Sequence, residues 1–231
     1  MPSDNGKTGT TRDDKSYVRP GYDVEDVARY VLQASGNAGR PASNLRLQRL
    51  LYFVDGYYMA VHQGSDLFAE DFLAWRYGPA VRQAYTLFMR NGADKIPERD
   101  YATKTTVWFD DESRKVMVDP VAWEPRMIED DDQAFISNVV RLLARYDDID
   151  LVEVSRDPEG PWKRHYDGDP SSVIPKEEIR RYFRDHLEGS AQIAPTRKRP
   201  GPNRTEGRKP RGAGRNEPVA GSSSPPISPR P

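Results

Sequence analysis

His62, His165 and His186 are the residues of this 231-residue sequence best suited to proton transfer near neutral pH or to metal ligation. No two of them stand at the HExxH spacing that puts a pair of imidazoles on one helical face, and no cysteine is present to complete a zinc site. They are expected in structural or surface roles, with no metal and no cofactor. Asp147-Asp148 offers paired carboxylates for acid and base work, but with no partner in a defined pocket it reads as the C-terminal turn of a helix. The run Glu129 to Asp132 reads as a solvated cap at the favourable end of a helix dipole. GxGxxG, Walker and GxSxG signatures are missing, so no phosphate cradle or activated serine is indicated. The expectation is a protein that is not an enzyme.

The apolar residues are unevenly placed and define the elements available to position other chemistry. Asp23 can cap a helix carrying Val24, Val27, Ala28 and Val31 on one face, with Gly36 as its stop. After Pro41 and a Ser43 cap, Leu47, Leu50, Leu51, Val54, Tyr58 and Val61 keep helical spacing as far as Gly64, which predicts the central helix. Pro79 suits the first turn of a third helix with Val81, Tyr85, Phe88 and Met89 buried. Thr105 to Phe109 and Lys115 to Val118 flank a polar stretch and predict a β-hairpin. Phe135, Ile136, Val139, Val140, Leu143 and Tyr146 form another helical stripe. Short helices are expected at Leu151 to Val154 and after Gly160-Pro161. Pro175 opens a last helix with Ile179, Tyr182, Phe183 and Leu187 inward, ended by Gly189. The fold class is mainly α: a compact helical domain with a small antiparallel hairpin or sheet.

Charge divides the chain as sharply as hydropathy does. Residues 190–231 contain no aromatic residue and carry nine basic against two acidic residues, a net of +7; residues 1–20 have four against three, or +1. Residues 21–189 have 22 basic and 31 acidic residues, a net of −9, inside a whole-chain charge of only −1. The expected organisation is a disordered segment over 1–20, a helical domain over 21–189 and a disordered basic tail rich in Pro and Gly over 190–231. With no cysteine, disulfide scaffolds are excluded. No apolar run approaches the roughly 20 residues that span a bilayer, and the start lacks the apolar middle of a secretory signal, so no membrane partner and a cytoplasmic location are expected.

Three stretches carry more than amphipathic patterning: Asn44-Leu45-Arg46-Leu47-Gln48-Arg49-Leu50-Leu51-Tyr52-Phe53, then Ala74-Trp75-Arg76-Tyr77-Gly78-Pro79, and Leu151-Val152-Glu153-Val154-Ser155 leading to Gly160-Pro161-Trp162-Lys163. In this order the chain resembles the Panacea-domain family, also called SocA-like, whose pattern reads approximately L-K-L-Q-K-L-L-Y-F, W-x-Y-G-P, and a late L-x-x-L-T-H followed by P-W. The resemblance spans about Asp23 to Phe183. Arg46 and Arg49 stand where lysines are usual, which keeps charge but changes hydrogen-bonding geometry. Arg156 or Asp157 replaces the family's late histidine, so no role of that histidine carries over.

The resemblance implies a mainly helical domain acting as the antitoxin of a toxin–antitoxin pair, neutralising a cognate toxin protein by direct binding. It also implies delivery of the toxin to an ATP-dependent protease, as one founding member does. The motifs supply the candidate partner-binding residues Arg46, Gln48, Arg49, Trp75, Arg76, Tyr77 and Trp162. Leu47, Leu50 and Leu51 are expected in the core, Gln48 as a partner for buried backbone, and Trp162 against the central helix. Trp75 and Tyr77 either pack inward or form an exposed aromatic patch. Arg46, Arg49 and Arg76 are expected to reach solvent beside the motifs, where Arg, Trp and Tyr are the usual interface hot spots. The alternative is a phage or bacterial accessory protein that binds nucleic acid weakly and non-specifically through its basic tail.

Overall fold

The computed structural model describes residues 21–62 and 65–189. The expected disorder of residues 1–20 and 190–231, and the stop at Gly64, lie outside the described residues. Within them, the chain runs α1 (Val24–Asn37), α2 (Asn44–Val61), β1 (Phe72–Trp75), β2 (Gly78–Ala80), α3 (Arg82–Phe88), α4 (Glu98–Tyr101), β3 (Thr103–Asp110), β4 (Lys115–Ala122), α5 (Asp130–Leu143), α6 (Asp148–Ser155), α7 (Pro161–His165), β5 (Val173–Ile174) and α8 (Lys176–Gly189). The mainly helical reading holds.

α2 is the hub. Ser43 caps it by accepting the Arg46 N–H at 3.3 Å. Leu47, Leu50, Leu51 and Val54 are buried as expected, but so are Arg46, Gln48, Arg49, Tyr52, Phe53, Asp55 and Met59, so the helix is covered nearly all round. α1, α3, α5, α6, α8 and strand β2 all pack against it. α8 packs tightly on α2 at Gly56, where an added Cβ would clash with the Phe183 ring. That ring in turn meets Tyr52, Phe53 and Tyr57 edge-on. Val61 is exposed at the helix end, contrary to its place in the predicted stripe.

Two small antiparallel sheets complete the fold, one in the order β2-β1-β5 and one formed by β3 and β4 alone. The first corrects the sequence reading. Gly78-Pro79 does not open a helix; it pairs with β1, with Trp75 opposite Gly78 and Ala74 opposite Pro79, and α3 starts only at Arg82. A three-residue strand is too short to show alternation, and a Pro fits it because the strand lies at the sheet edge. On α3, Val81 and Phe88 are buried, whereas Tyr85 and Met89, expected inward, are exposed. Leu187 on α8 is likewise exposed, while Ile179 and Phe183 are core.

The carboxylates also sit differently from their reading in the sequence. Asp147 caps the start of α6 and forms a capping box with Asp150; it does not end a helix. Asp132, in the supposedly solvated acidic run, is buried and accepts hydrogen bonds from Tyr22 at 2.5 Å and Tyr58 at 3.4 Å. Burial, with the Asp132 bond adding to it, pushes the Tyr22 hydroxyl up to about 12. Asp55 is fully buried on α2, accepting the Leu67 N–H at 2.9 Å and lying 3.4 Å from the Lys176 ammonium of α8. Burial raises its carboxyl to about 6 against the opposing pull of Lys176.

Candidate partner-binding surface

The three sequence motifs converge on the β1–β2 turn, each through a different side chain of known length and donor pattern. Arg49 on α2 donates from both terminal nitrogens to the carbonyls of Tyr77 and Pro79. Gln48, its neighbour, accepts the Val81 N–H at 2.8 Å and donates to Asn44, which itself donates to the Tyr85 carbonyl at 2.9 Å. Val81 is the cap position of α3 and makes no side-chain cap, so Gln48 satisfies an amide that the short helix leaves open. Trp162 at the start of α7 donates its indole N–H to the Trp75 carbonyl at 2.8 Å.

Gly78 is fixed by this convergence. Its φ is +113°, and a Cβ there would lie 2.1 Å from an Arg49 nitrogen and 2.8 Å from the Ser155 hydroxyl. The turn can therefore accept the guanidinium only if residue 78 has no side chain. Ser155 belongs to the third motif and is buried, so all three stretches meet within one turn.

The expected exposure of Arg46 and Arg49 is overturned: each is 1% exposed. Arg46 reaches the end of α5 and the start of α6, donating to the Tyr146 and Leu143 carbonyls at 2.9 and 3.0 Å and pairing with Asp148 at 3.0 Å. Burial lowers its pKa while the Asp148 bond opposes the shift. Burial would raise Asp148, but the bonds from Arg46 and Lys95 outweigh it and the net direction is down. Arg49 has no carboxylate in ion-pair range among the described residues, and burial depresses its guanidinium to about 9. Gln48 is buried in the structural role expected of it, and Trp162 is core.

What the buried set holds out is an aromatic and basic surface. Tyr77 is 58% exposed, with the exposed Arg76 5.6 Å over its ring. Trp75 is half-buried, donates to the Pro170 carbonyl at 2.9 Å, and has Arg82 5.8 Å over its face and Tyr85 edge-on at 5.0 Å. On the third motif, exposed Arg156 lies 4.6 Å over Trp162, whose ring stacks on Tyr166 at 4.7 Å. Arg76, Arg82 and Arg156 thus each lie over an aromatic ring of the motifs or of the turn they support, within residues 21–189 of net charge −9. Sequence reasoning placed Tyr85 in the buried stripe of α3, where it is exposed, and assigned Arg82 no role. Arg156 entered only as a departure from the family pattern.

Among the described residues no His, Cys, Asp and Glu cluster could hold a metal ion, and no helix is long and apolar enough to cross a membrane. The arrangement can offer guanidinium groups, aromatic faces and a tyrosine hydroxyl to another macromolecule. The model of the family described as antitoxin SocA-like, Panacea domain, matches residues 47–163, just over half of the chain. The antitoxin SocA of Caulobacter vibrioides strain NA1000 / CB15N is 33% identical over 140 residues, which cover 61% of this chain and 68% of that protein. No solved structure matches. The matched span contains the β1–β2 turn with its Arg49 and Trp162 supports, and the chain belongs to the SocA-like, Panacea-domain antitoxin family.

Proposed function

We propose that this chain is the antitoxin of a toxin–antitoxin pair and neutralises a cognate toxin protein by direct contact through the surface of Arg76, Tyr77, Arg82, Tyr85 and Arg156. The observation that carries the reading is the division of labour within the family motifs: Arg49, Gln48 and Trp162 are buried and bind the turn's backbone, leaving Arg76 and Tyr77 at its tip. A rigid turn that displays Arg and Tyr beside Trp has the composition of an interface hot spot with little ordering cost on binding. Arg76, Arg82 and Arg156 fit acidic or carbonyl-rich surface on the toxin, while the net −9 of the domain favours a partner of opposite overall charge.

The test is co-expression with the product of a neighbouring gene that arrests growth when expressed alone. Arg76→Ala with Tyr77→Ala should abolish rescue and weaken binding by about 2 kcal/mol or more, with thermal stability unchanged. Full rescue by that double variant would move the interface elsewhere. Delivery of the toxin to an ATP-dependent protease, if it accompanies binding, would shorten the toxin's half-life only in cells that retain the protease. A second reading rests on the +7 of residues 190–231: weak, non-specific nucleic-acid binding by the tail.

A further inference from the structure

The β3–β4 hairpin takes almost no part in the core. Both strands are exposed along most of their length, and they contact chiefly each other. Directly opposed residues of an antiparallel pair point to the same face, so the register sorts the side chains into two sets. One face carries Lys104, Val121, Thr106, Asp119, Trp108, Met117, Asp110 and Lys115, a mixed polar set in which Trp108 donates to Asp119 at 2.8 Å. The other pairs Thr103 with Ala122, Thr105 with Pro120, Val107 with Val118 and Phe109 with Val116, and holds no charge at all. Val107, Phe109, Val116 and Val118 are 67%, 53%, 65% and 60% exposed.

The hairpin is nevertheless firmly rooted. Arg29 of α1 gathers the carbonyls of Asp100, Tyr101 and Thr103 at 3.2, 3.0 and 2.8 Å. Asp26, also on α1, accepts from the Trp123 indole at 2.7 Å and pairs with Lys104, taking one group from the base of each strand. Pro120 gives β4 a position with no N–H, a device that blunts an edge against strand addition. Pro120 blunts the outer edge of β4 only, and the apolar face is exposed.

We propose that this face is covered by the same face of a second copy of the chain, the two hairpins stacking across a two-fold axis. An uncharged apolar surface is complementary to itself, as an isologous contact requires. Taking Phe109 at about 200 Å² and each valine at about 100 Å² and scaling for exposure, these four side chains offer on the order of 300 Å²; with the exposed Thr105, Pro120 and Ala122 beside them, a pair of faces removes on the order of 800–1,000 Å², the lower edge of specific interfaces.

Sedimentation equilibrium of the full chain tests this. The expected result is a monomer–dimer equilibrium with a dissociation constant on the order of micromolar, unaffected by raising salt several-fold. Val107→Lys or Val118→Lys should weaken it about tenfold or more, and Thr106→Lys on the other face should not. Circular dichroism of each variant checks that the fold is kept. Because the chain has no cysteine, Val107→Cys should cross-link through a bismaleimide of about 10 Å, the spacing of stacked sheets, and Thr106→Cys should not. A monomer at about 100 μM overturns the proposal. A dimer that dissolves in salt and ignores the valine substitutions overturns it too, pointing to basic tails on acidic domains. A monomer whose toxin rescue is lost with Val107→Lys assigns the face to the toxin instead.

Discussion

Arg46 and Arg49 sit less than one turn apart on α2, both with their guanidinium groups out of water, and they differ in counter-charge. Arg46 has Asp148 at 3.0 Å; Arg49 has only the carbonyls of Tyr77 and Pro79. Arg49→Ala leaves two buried carbonyls without a donor and a cavity where the stem ran, and should cost about 2–4 kcal/mol in urea unfolding. Arg49→Met keeps the stem and removes an uncompensated charge, so it should cost less than Ala. Equal stability of Arg49→Ala and wild type would refute this account of the turn. Asp55 gives a pH signature of its own. Its carboxyl is raised to about 6 in the fold and sits near 3.9 when unfolded, so its contribution is fully present below about pH 4 and is lost as pH rises through 6. Asp55→Asn should flatten the loss of stability between those values in a pH series of thermal melts. Asp148, shifted the other way, contributes its full stabilisation above the ordinary carboxylate range and loses it as pH falls below that range, where Arg46 loses its charged partner.

Elements reveal how much of this arrangement was legible beforehand. α1, α2, α5 and α8 follow from apolar spacing and caps because each carries its signal within its own residues, as Asp23 and Ser43 do. The hairpin's strands were legible in their β-branched residues, though not the uncharged face, which depends on register. Burial of Arg46 was not legible, because the carbonyls that receive it come from residues 97 and 100 positions away. Pro79 misled for a similar reason: the same residue suits a helix start or an edge strand, and the choice was made by pairing with β1 and by Arg49. The position of α3 then depends on Gln48, whose Oε1 holds the Val81 N–H. Gln48→Leu should therefore destabilise the protein by about 1–3 kcal/mol and loosen α3 before α2, seen as faster amide exchange in residues 82–88. Uniform exchange across both helices would show that packing alone places α3.

At the scale of the whole molecule the decisive quantity is the charge asymmetry, −9 over residues 21–189 against +7 over residues 190–231. A tail of that composition has no aromatic residue for base stacking, so any attraction to nucleic acid is to phosphate and independent of sequence. Residues 21–189 oppose such binding, since their net charge of −9 repels phosphate. These two facts separate the functions. Removing residues 190–231 should abolish nucleic-acid binding and leave toxin rescue intact, while Arg76→Ala with Tyr77→Ala should do the reverse. The salt dependence identifies the contact. If about five of the tail's basic groups each neutralise a phosphate on a single strand, at about −0.7 per contact, log affinity should fall with log salt at a slope of about −3.5. Affinity would then drop roughly a hundredfold between about 50 and 200 mM salt, against almost no change for a contact made by aromatic and apolar groups. Filter binding of the full chain and of the shortened one to a labelled oligonucleotide measures both. A shortened chain that binds as well as the full one would place a nucleic-acid site on the domain itself, and the patch around Tyr77 would then have to be reassigned from protein to phosphate.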